Sequence, residues 1–287
     1  MEIAVISGKG GTGKSSISSA FVSVAKSAVV VDCDVDASNL YLLFSPLCKE
    51  EEVFVSGSHA VVNNDKCTNC NTCINLCRFD AISKVNGKIR ISESACDGCY
   101  LCSRVCPVQA IKMIPADKSR MYAGTFRYGN MVYGRLAPGE ENSGKMVNLL
   151  REKAKKYVED YGYDTVILDG PPGIGCPVIS TITGVDKVVV VTEPTISGFL
   201  DMKRVIEVVC RFSVQMSVIV NKYDLNPSIC EQIDKWCEEM KIPVVAHLPF
   251  DAQIVEAMIA GKTIIEYNKD CEVSRLIENA YNTIYAF

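Results

Sequence analysis

Residues 3–15 read IAVISGKGGTGKS, an apolar run followed by a glycine-rich loop and the start of a helix of small residues. Glycines let successive backbone N–H groups turn toward an anion, and the positive end of the following helix dipole favours the same anion. The full pattern from Gly8 to Ser15 therefore predicts a strand, a phosphate-binding loop and a helix over 14–26. We expect the Lys14 ammonium to contact the β- and γ-phosphates and the Ser15 hydroxyl to ligate Mg²⁺. The residues assigned to nucleotide binding here are Gly8, Lys9, Gly10, Gly11, Thr12, Gly13, Lys14, Ser15 and Ser16.

Apolar, β-branched runs alternate with segments of helical periodicity along the rest of the chain. The apolar runs are 29–31, 165–168, 187–191, 217–220 and 243–246, and the helical segments are 143–160, 197–211 and 228–240. Such runs fill parallel sheets that are buried on both faces. Their alternation with helices predicts an α/β fold with a doubly wound, mainly parallel sheet.

A cysteine repeat interrupts this alternation. Residues 67–82 read CTNCNTCINLCRFDAI and residues 96–111 read CDGCYLCSRVCPVQAI, so four cysteines recur at the same spacing 29 positions apart. Three cysteines at intervals of three residues can direct three thiolates onto one cubane, and the fourth cysteine ligates the other cluster. The repeat therefore predicts two [4Fe-4S] clusters. The ligands are Cys67, Cys70, Cys73 and Cys106 for the first cluster, and Cys96, Cys99, Cys102 and Cys77 for the second.

A zinc site or a disulfide framework is the alternative for this cysteine-rich segment. Zinc sites use pairs of cysteines rather than two quartets, so the spacing favours iron-sulfur clusters. One copy departs from the usual form, because Cys106 precedes Pro107 whereas Cys77 precedes Arg78. The turn after Cys77 is therefore expected to be less rigid, and the ligand assignment is unchanged.

The repeat is predicted to form an inserted, small α+β domain of the bacterial ferredoxin type. We assign residues 61–117 to this insert, and residues 1–60 and 118–287 to a discontinuous nucleotide-binding domain. The segment 120–135 carries four aromatic residues among glycines. It is expected to form strands that return the chain to the main fold.

Composition limits the classes of partner. The 287 residues carry a formal net charge of -4 and no run of lysine or arginine, which argues against nucleic-acid binding. The N-terminus begins a core strand without a signal peptide, and no apolar stretch reaches the roughly 18 residues of a membrane span. We therefore expect a cytoplasmic protein without stable membrane association.

The cysteines outside the repeat are scattered singly, as reduced thiols are, and exposed low-potential clusters favour an anaerobic host.

Carboxylates follow two of the predicted strands. Asp32 and Asp34 follow the second strand and share a face, and Asp169 ends a later strand before a Gly-Pro-Pro-Gly turn. The carboxyl ends of parallel strands meet at one edge of the sheet, where the phosphates would lie. Each carboxylate alone could be a helix cap or a turn residue. Together with the glycine loop, they are better interpreted as ligands of Mg²⁺, directly or through water.

Three segments together resemble a known family. Residues 9–15, KGGTGKS, are similar to the deviant Walker A motif of the MinD, Mrp and nitrogenase iron protein class, which has an additional lysine near its start. Asp32 to Asn39 resembles the switch I segment of that class, and residues 169–175, DGPPGIG, resemble its switch II segment. With the cysteine quartets, nearly the whole chain is similar to the MinD-superfamily ATPases that contain a ferredoxin domain.

The resemblance implies a Mg²⁺-dependent P-loop ATPase that forms a homodimer around two ATP molecules. It implies that Lys9 reaches across to the phosphates of the partner and that Asp34 orients the attacking water. The catalytic residues that it implies are Lys9, Lys14, Asp34 and Asp169.

The residues at the end of another predicted strand bear on whether the nucleotide base is adenine or guanine. Asn221, Lys222 and Asp224 match the NKxD pattern that reads guanine in P-loop GTPases. In the class that the chain resembles, an asparagine here contacts adenine together with the backbone near Pro249, so ATP is the predicted nucleotide. A turn that caps the following helix is the alternative for Lys222 and Asp224.

Three functions are compatible with the sequence. The preferred one is an ATPase that couples its nucleotide state to electron transfer through two clusters toward a redox or metalloenzyme partner. The second is a carrier or maturation ATPase that loads a cluster or a metal into a target, and the third is a non-catalytic positioning or scaffold role. Ferredoxin-type quartets favour stable clusters over transferable ones. Membrane positioning needs a basic amphipathic C-terminal helix, whereas Arg275 is the only basic residue of 271–287.

Cys176 lies seven residues after Asp169 and resembles one cluster ligand of the nitrogenase iron protein, which holds one cluster between its subunits. The second ligand is missing, since residues 138–145 contain no cysteine. We therefore predict no bridging cluster, and we expect Cys176 to be a packed thiol beside switch II.

Overall fold

The computed structural model of the protein describes residues 1–286. It divides into two compact units. The first unit comprises Met1–Glu51, Tyr122–Gly134 and Ser143–Phe287, and the second comprises Glu52–Met121 and Arg135–Asn142.

Strands and helices alternate along the chain. The strands are β1 (Glu2–Ser7), β2 (Ala28–Asp32), β3 (Leu47–Phe54), β4 (Gly57–Val62), β5 (Ile82–Val85), β6 (Lys88–Ile91), β7 (Ile111–Ala116), β8 (Ser119–Phe126), β9 (Gly129–Arg135), β10 (Val166–Pro172), β11 (Lys187–Thr192), β12 (Gln215–Asn221) and β13 (Val244–Leu248). The helices are α1 (Lys14–Ala25), α2 (Leu40–Phe44), α3 (Thr72–Leu76), α4 (Leu101–Val105), α5 (Ser143–Tyr161), α6 (Cys176–Ile182), α7 (Ile196–Val209), α8 (Pro227–Glu239), α9 (Gln253–Ile259), α10 (Ile264–Tyr267) and α11 (Glu272–Ala286).

One large sheet has the strand order β13-β12-β11-β1-β10-β2-β9-β8-β3. The neighbouring pairs from β13 to β9 are all parallel. The residues Ile3 to Ile6 of β1 are completely buried, as expected for a strand covered on both faces. The predicted doubly wound, mainly parallel sheet is therefore confirmed. Because β1, β2 and β10 run parallel, their carboxyl ends meet at one edge, which is where this architecture places its ligands.

The segment 120–135 forms most of β8 and β9. Strand β9 pairs in parallel with β2, from Ala28 beside Gly129 to Asp32 beside Tyr133. Tyr133 stacks on Tyr122 with ring centroids 4.9 Å apart. The aromatic residues thus pack the side of the sheet beyond β2. Strand β3 was not predicted from the sequence, because its residues before Phe54 are all exposed and such an edge strand carries no apolar run.

The last helix closes the core of the first unit. Helix α11 buries Val273, Ile277, Tyr281 and Ile284, and these side chains belong to the same apolar cluster as Phe21 of helix α1. The apolar face of the C-terminal helix is thus occupied by the protein's own core. No helix among residues 1–286 is long and apolar enough to cross a membrane.

The second unit repeats itself at the 29-residue offset of the sequence. Helix α3 corresponds to α4 at this offset, and each follows a residue with positive φ, Asn71 at 61° and Tyr100 at 65°. Strand β4 pairs antiparallel with β7, and β5 pairs antiparallel with β6. A small core includes Ala60, Ile82, Ile89 and Ile111. This arrangement confirms the predicted α+β insert of ferredoxin type.

The second unit is larger than the predicted insert of residues 61–117. It begins at Glu52 and takes in residues 135–142. The Glu140 carboxylate accepts hydrogen bonds from the backbone N–H groups of Lys118, at 2.9 Å, and Ser119, at 3.0 Å. Asn142 donates a hydrogen bond to the Ser56 carbonyl. These bonds tie the later segment to the unit, and sequence periodicity could not have shown them.

Candidate functional site

The glycine loop between β1 and α1 has the backbone that its sequence predicts. Gly13 lies at φ 94° and precedes helix α1 with no side-chain cap, so the first N–H groups of the helix are not covered by a side chain. A Cβ atom on Gly13 would lie 2.3 Å from Nδ2 of Asn221, and one on Gly8 would lie 2.4 Å from the backbone of Asp201. Larger residues at these two positions would therefore displace the loop. The buried Thr12 hydroxyl has no hydrogen-bond partner, a group that a bound polar ligand could satisfy.

Asp169, in the middle of β10, forms hydrogen bonds with two serines of helix α1. The Ser15 hydroxyl donates to one Asp169 oxygen at 2.7 Å, and the Ser18 hydroxyl donates to the other at 2.8 Å. Burial raises the pKa of Asp169, and the hydrogen bond from Ser15 and the charge of Lys14 oppose this rise. An oxygen pair of hydroxyl and carboxylate is the donor set that Mg²⁺ prefers. Two of the four residues predicted to hold Mg²⁺, Ser15 and Asp169, are thus in contact.

Asp32 organises the loop that follows β2. Its buried carboxylate accepts hydrogen bonds from the Ser38 hydroxyl at 2.8 Å and from the backbone N–H groups of Asn39 and Leu40 at 3.0 and 3.1 Å. Burial and the neighbouring Asp169 charge raise the pKa of Asp32 to about 7. Asp32 thus stabilises the turn before α2, which is the turn role that was the alternative for an isolated carboxylate, although the N-cap residue of α2 is Asn39. A contact from Asp32 to Mg²⁺ stays a prediction, and it would compete with these bonds.

Asp34 lies in the same loop and is half-buried. Burial raises the pKa of Asp34, and the charge of Lys14 lowers it. The Lys14 side chain is itself only 7% exposed. Lys14 thus interacts with both Asp34 and Asp169, which brings the predicted catalytic carboxylates and the phosphate-binding lysine together at one edge of the sheet.

Lys9 lies against an acidic residue of its own chain. Its ammonium is 2.7 Å from the Glu193 carboxylate and 3.2 Å from the Thr195 and Ser197 hydroxyls. Glu193 also pairs with Lys222 at 3.3 Å. Burial raises the pKa of Glu193, but hydrogen bonds from the two lysines outweigh this effect and leave the pKa below its usual value.

Sequence reasoning missed Glu193. The residue directly follows β11, so it lies at the same edge of the sheet as the other carboxylates. The strand-end rule that selected Asp32 and Asp169 would have selected Glu193 as well.

A cavity beside the glycine loop collects the residues predicted to bind the base. Asn221, Lys222 and Pro249 line it together with Gly13 and Ser16. Apolar side chains such as Ile254 and Met258 complete this mixed lining. It suits a flat aromatic ring with a few polar edges.

The polar side chains at this cavity are held by the loops around it. Asn221 donates to the Thr12 carbonyl at 2.8 Å, and Lys222 donates to the Gly11 carbonyl at 3.2 Å. Asp224 does not line the cavity and instead accepts the backbone N–H of Phe250 at 2.8 Å. Asp224 thus holds the loop after β13, whereas the side chain that caps helix α8 is that of Asn226, which accepts the backbone N–H of Ile229.

The cysteine quartets of the second unit line two cavities. The first cluster cavity is lined by Cys67, Cys70, Cys73 and Cys106. The second cluster cavity is lined by Cys77, Cys96, Cys99 and Cys102, and Cys73 also reaches it. Each set therefore takes its fourth cysteine from the other repeat, as the crossing rule for two-cluster ferredoxins requires.

The thiols of the first cluster cavity are close enough together to change one another's pKa. Burial raises the pKa of Cys73, and charges at Cys67 and Cys70 add to the rise. Backbone N–H groups already point at two sulfurs: Ala110 donates to Cys106 at 3.2 Å and Ala60 donates to Cys96 at 3.4 Å. Four convergent thiols with N–H donors to sulfur fit the ligand chemistry of a [4Fe-4S] cluster.

The two fourth cysteines share one backbone conformation. Cys77 has φ -73° and ψ 117°, and Cys106 has φ -72° and ψ 110°. The chain therefore ends both short helices in the same way, although Arg78 follows Cys77 where Pro107 follows Cys106.

The prediction of a packed thiol at Cys176 is wrong. Cys176 is exposed and begins helix α6 after Gly175. The buried residues of this short helix are Val178, Thr181 and Ile182, which leaves its first residue outside the core.

Comparison with known families matches both parts of the chain. The family of 4Fe-4S dicluster domains matches residues 60–113. The ParA family, described as NUBPL iron-transfer P-loop NTPases, matches residues 143–285.

Three relatives match this chain over most of its length. An uncharacterized protein of Methanocaldococcus jannaschii is 35% identical over 100% of this chain and 97% of its own length. A second uncharacterized protein of that organism is 30% identical over 99% of this chain and 97% of its own. The septum site-determining protein MinD of Buchnera aphidicola subsp. Baizongia pistaciae is 22% identical over 93% of this chain and 85% of its own.

Solved structures show the same fold. The cell division ATPase MinD of Pyrococcus furiosus aligns with a TM-score of 0.60 at 17% identity, covering 99% of this chain and 98% of that one. The MinD protein of Pyrococcus horikoshii in complex with Mg-ADP aligns with a TM-score of 0.59 at 16% identity, covering 99% and 95%. At these identities the likeness concerns the fold alone.

Proposed function

Because the chain belongs to the MinD/ParA class of P-loop ATPases, in the branch that carries a [4Fe-4S] dicluster domain, we propose that it couples ATP binding and hydrolysis to electron transfer through two clusters. Its electron acceptor would be a redox protein or a metalloenzyme. The acceptor would take single electrons at low potential, since this is the chemistry that ferredoxin-type clusters supply when bound.

The arrangement of the cysteines carries this proposal. Cys73 lines both cluster cavities, so the two cavities adjoin. Clusters held in adjoining cavities are within reach of each other for electron transfer. Each quartet also draws its ligands from both repeats, so neither cluster could leave without disturbing the ligands of the other repeat. Both features favour resident clusters over transferable ones.

Each residue around the glycine loop would have one role in binding or hydrolysing the nucleotide. The glycine loop and the uncapped start of α1 bind the phosphates, and Lys14 neutralises their charge. Ser15 and Asp169 hold Mg²⁺, and Asp34 orients the attacking water. We infer ATP rather than GTP as the nucleotide, because Asp224, the residue that would read guanine, does not line the base cavity, and its carboxylate accepts the backbone N–H of Phe250.

A homodimer is part of the same proposal. Lys9 would leave Glu193 and bind the phosphates of the partner when two ATP-bound copies meet. The exposed apolar residues Ile174, Ile179, Ile196 and Leu200 lie on switch II or on the two helices that follow β10 and β11, which carry the site. Apolar side chains exposed beside a nucleotide site are suited to burial against a second copy.

An iron-sulfur carrier is the second candidate, and one observation favours it. The family that matches the C-terminal half of the chain is described as iron-transfer NTPases. Cys70 and Cys99, one in each quartet, are exposed. A carrier would release iron and sulfide to an acceptor, whereas an electron carrier would keep them.

An anaerobic assay separates the two candidates. Protein with both clusters loaded and reduced would be mixed with a viologen dye as electron acceptor, with ATP or with ADP, and iron retained by the protein would be measured in parallel. We expect ATP to change the rate of dye reduction while the iron content stays constant. The Lys14→Ala variant should show no difference between nucleotides. ATP-dependent loss of iron to an apo-acceptor, without an effect on dye reduction, would replace electron transfer by the carrier function.

A further inference from the structure

Three side chains with different donor atoms converge on the outer part of the first unit. Cys230 and Asp234 lie four residues apart on helix α8, so they share one face of the helix. His247 lies on strand β13, and its ring contacts Asp234 of the helix. Their ligand atoms all lie within 4.8 Å of one another. None of the three lines the base cavity or the cluster cavities.

We propose that Cys230, Asp234 and His247 form a binding site for a divalent cation of the zinc class. The cation would bind the Cys230 sulfur, one Asp234 oxygen and Nε2 of His247, and its fourth position would be open to solvent. It would cross-link α8 to β13.

The geometry is close to that of a three-ligand site. Nε2 of His247 lies 2.8 Å from one Asp234 oxygen, and the Cys230 sulfur lies 3.9 Å from the other. Ligands around a tetrahedral zinc ion lie at about 2.0 to 2.3 Å from the metal. The hydrogen bond between His247 and Asp234 would open slightly, and small changes in the side-chain torsions would complete the site.

The donor set selects the class of cation. Sulfur, nitrogen and oxygen together suit zinc and neighbouring transition metals, whereas Mg²⁺ and Ca²⁺ take oxygen ligands. The side chains of Asp234 and His247 are 41% and 38% exposed. The fourth coordination position of the cation would therefore be accessible to solvent.

Binding requires the thiolate form of Cys230. Burial and the carboxylates of Asp234 and Glu231 raise the pKa of this thiol to about 11, so it is protonated without a metal. The cation would take the place of that proton, which passes to solvent. His247 would bind through Nε2 as neutral imidazole with its proton on Nδ1, so a proton on Nε2 would move to Nδ1 or to solvent, and the hydrogen bond with Asp234 would be replaced by two bonds to the metal.

Zinc analysis of the complete protein tests the site. Protein with both iron-sulfur clusters loaded would be incubated anaerobically with Zn²⁺, freed of loosely bound ions, and measured for iron and zinc. We expect one zinc per chain with the iron content unchanged. X-ray absorption at the zinc edge should show one sulfur at about 2.3 Å and two or three nitrogen or oxygen atoms at about 2.0 to 2.1 Å.

Two variants and a matched control make the assignment specific. Cys230→Ala and His247→Ala should each lose at least tenfold in zinc affinity, and Zn²⁺ should no longer raise their unfolding temperatures. The control is Cys237→Ala, which removes another buried thiol of the same helix and should bind zinc as the original protein does. Zinc surrounded by four sulfurs would place the metal in a cluster cavity and overturn the proposal. Zinc binding that survives both variants, or no zinc in the original protein, would overturn it equally.

Discussion

The contact between Lys9 and Glu193 leads to a specific expectation for dimer formation. In the single chain the Lys9 ammonium is held by Glu193 at 2.7 Å. If Lys9 acts on the phosphates of a partner, this ion pair must break in both copies before the dimer closes. Replacing Glu193 by Gln keeps the shape of the side chain and removes its charge. We therefore expect Glu193→Gln to strengthen the ATP-bound dimer.

The exposure of the two side chains sets the size of the effect. Lys9 and Glu193 are 27% and 14% exposed, so the pair is neither fully solvated nor fully buried. A pair of this kind contributes about 1 kcal/mol, at the upper end of the range for surface pairs. Two pairs break per dimer, which amounts to about 2 kcal/mol and a roughly 30-fold lower dissociation constant.

Analytical ultracentrifugation with ATP measures this constant. The variant would be made in an Asp34→Asn background, so that ATP is not consumed during the run. The control is Glu193→Gln in a Lys9→Ala background, where no ion pair remains to be broken and no gain is expected. A dimer that is equally strong or weaker with Glu193→Gln would refute the reasoning. A gain that persists without Lys9 would show that Glu193 acts through another contact, such as Lys222.

Three further predictions follow from the site. Asp34→Asn should bind ATP normally and hydrolyse it at least a hundredfold more slowly, whereas Lys14→Ala should lose tight binding, as nucleotide titration and phosphate release would measure. Cys77→Ser should damage the cluster of the second cavity and Cys106→Ser that of the first, which iron analysis and EPR of each variant would show. Asn221→Ala removes a buried 2.8 Å bond to the glycine loop and should weaken ATP binding up to about tenfold, since such a bond contributes about 0.5 to 1.5 kcal/mol. Unchanged affinity would exclude this role.

Local sequence patterns predicted most of the residues that the structure brings together beside the glycine loop. The phosphate loop and the strand-end carboxylates each depend on a few neighbouring residues, whose geometry follows from glycine content and strand direction. The spacing of the cysteines likewise specified both quartets, because each ligand's position is set within its own short loop. These features need no knowledge of distant contacts.

Contacts between segments that are distant in the sequence could not be predicted from local patterns. The pairing of Lys9 with Glu193 joins residues 184 positions apart, and the cluster of Cys230, Asp234 and His247 depends on how α8 packs beside β13. Cys176 was expected to be packed because it follows switch II, but its place at the first turn of α6 exposes it. Sequence position alone does not determine which face of a short helix is buried.

The central claim is that the nucleotide state changes the properties of the clusters, and a redox titration tests it most directly. The Asp34→Asn protein, with both clusters loaded, would be titrated by EPR in the presence of ATP and of ADP. A coupling of about 1 to 3 kcal/mol predicts a shift of roughly 40 to 130 mV in the midpoint potential of at least one cluster. Reduction of the clusters should change nucleotide affinity by the same free energy. Identical potentials with ATP and ADP, together with a nucleotide affinity that does not depend on cluster reduction, would contradict the account.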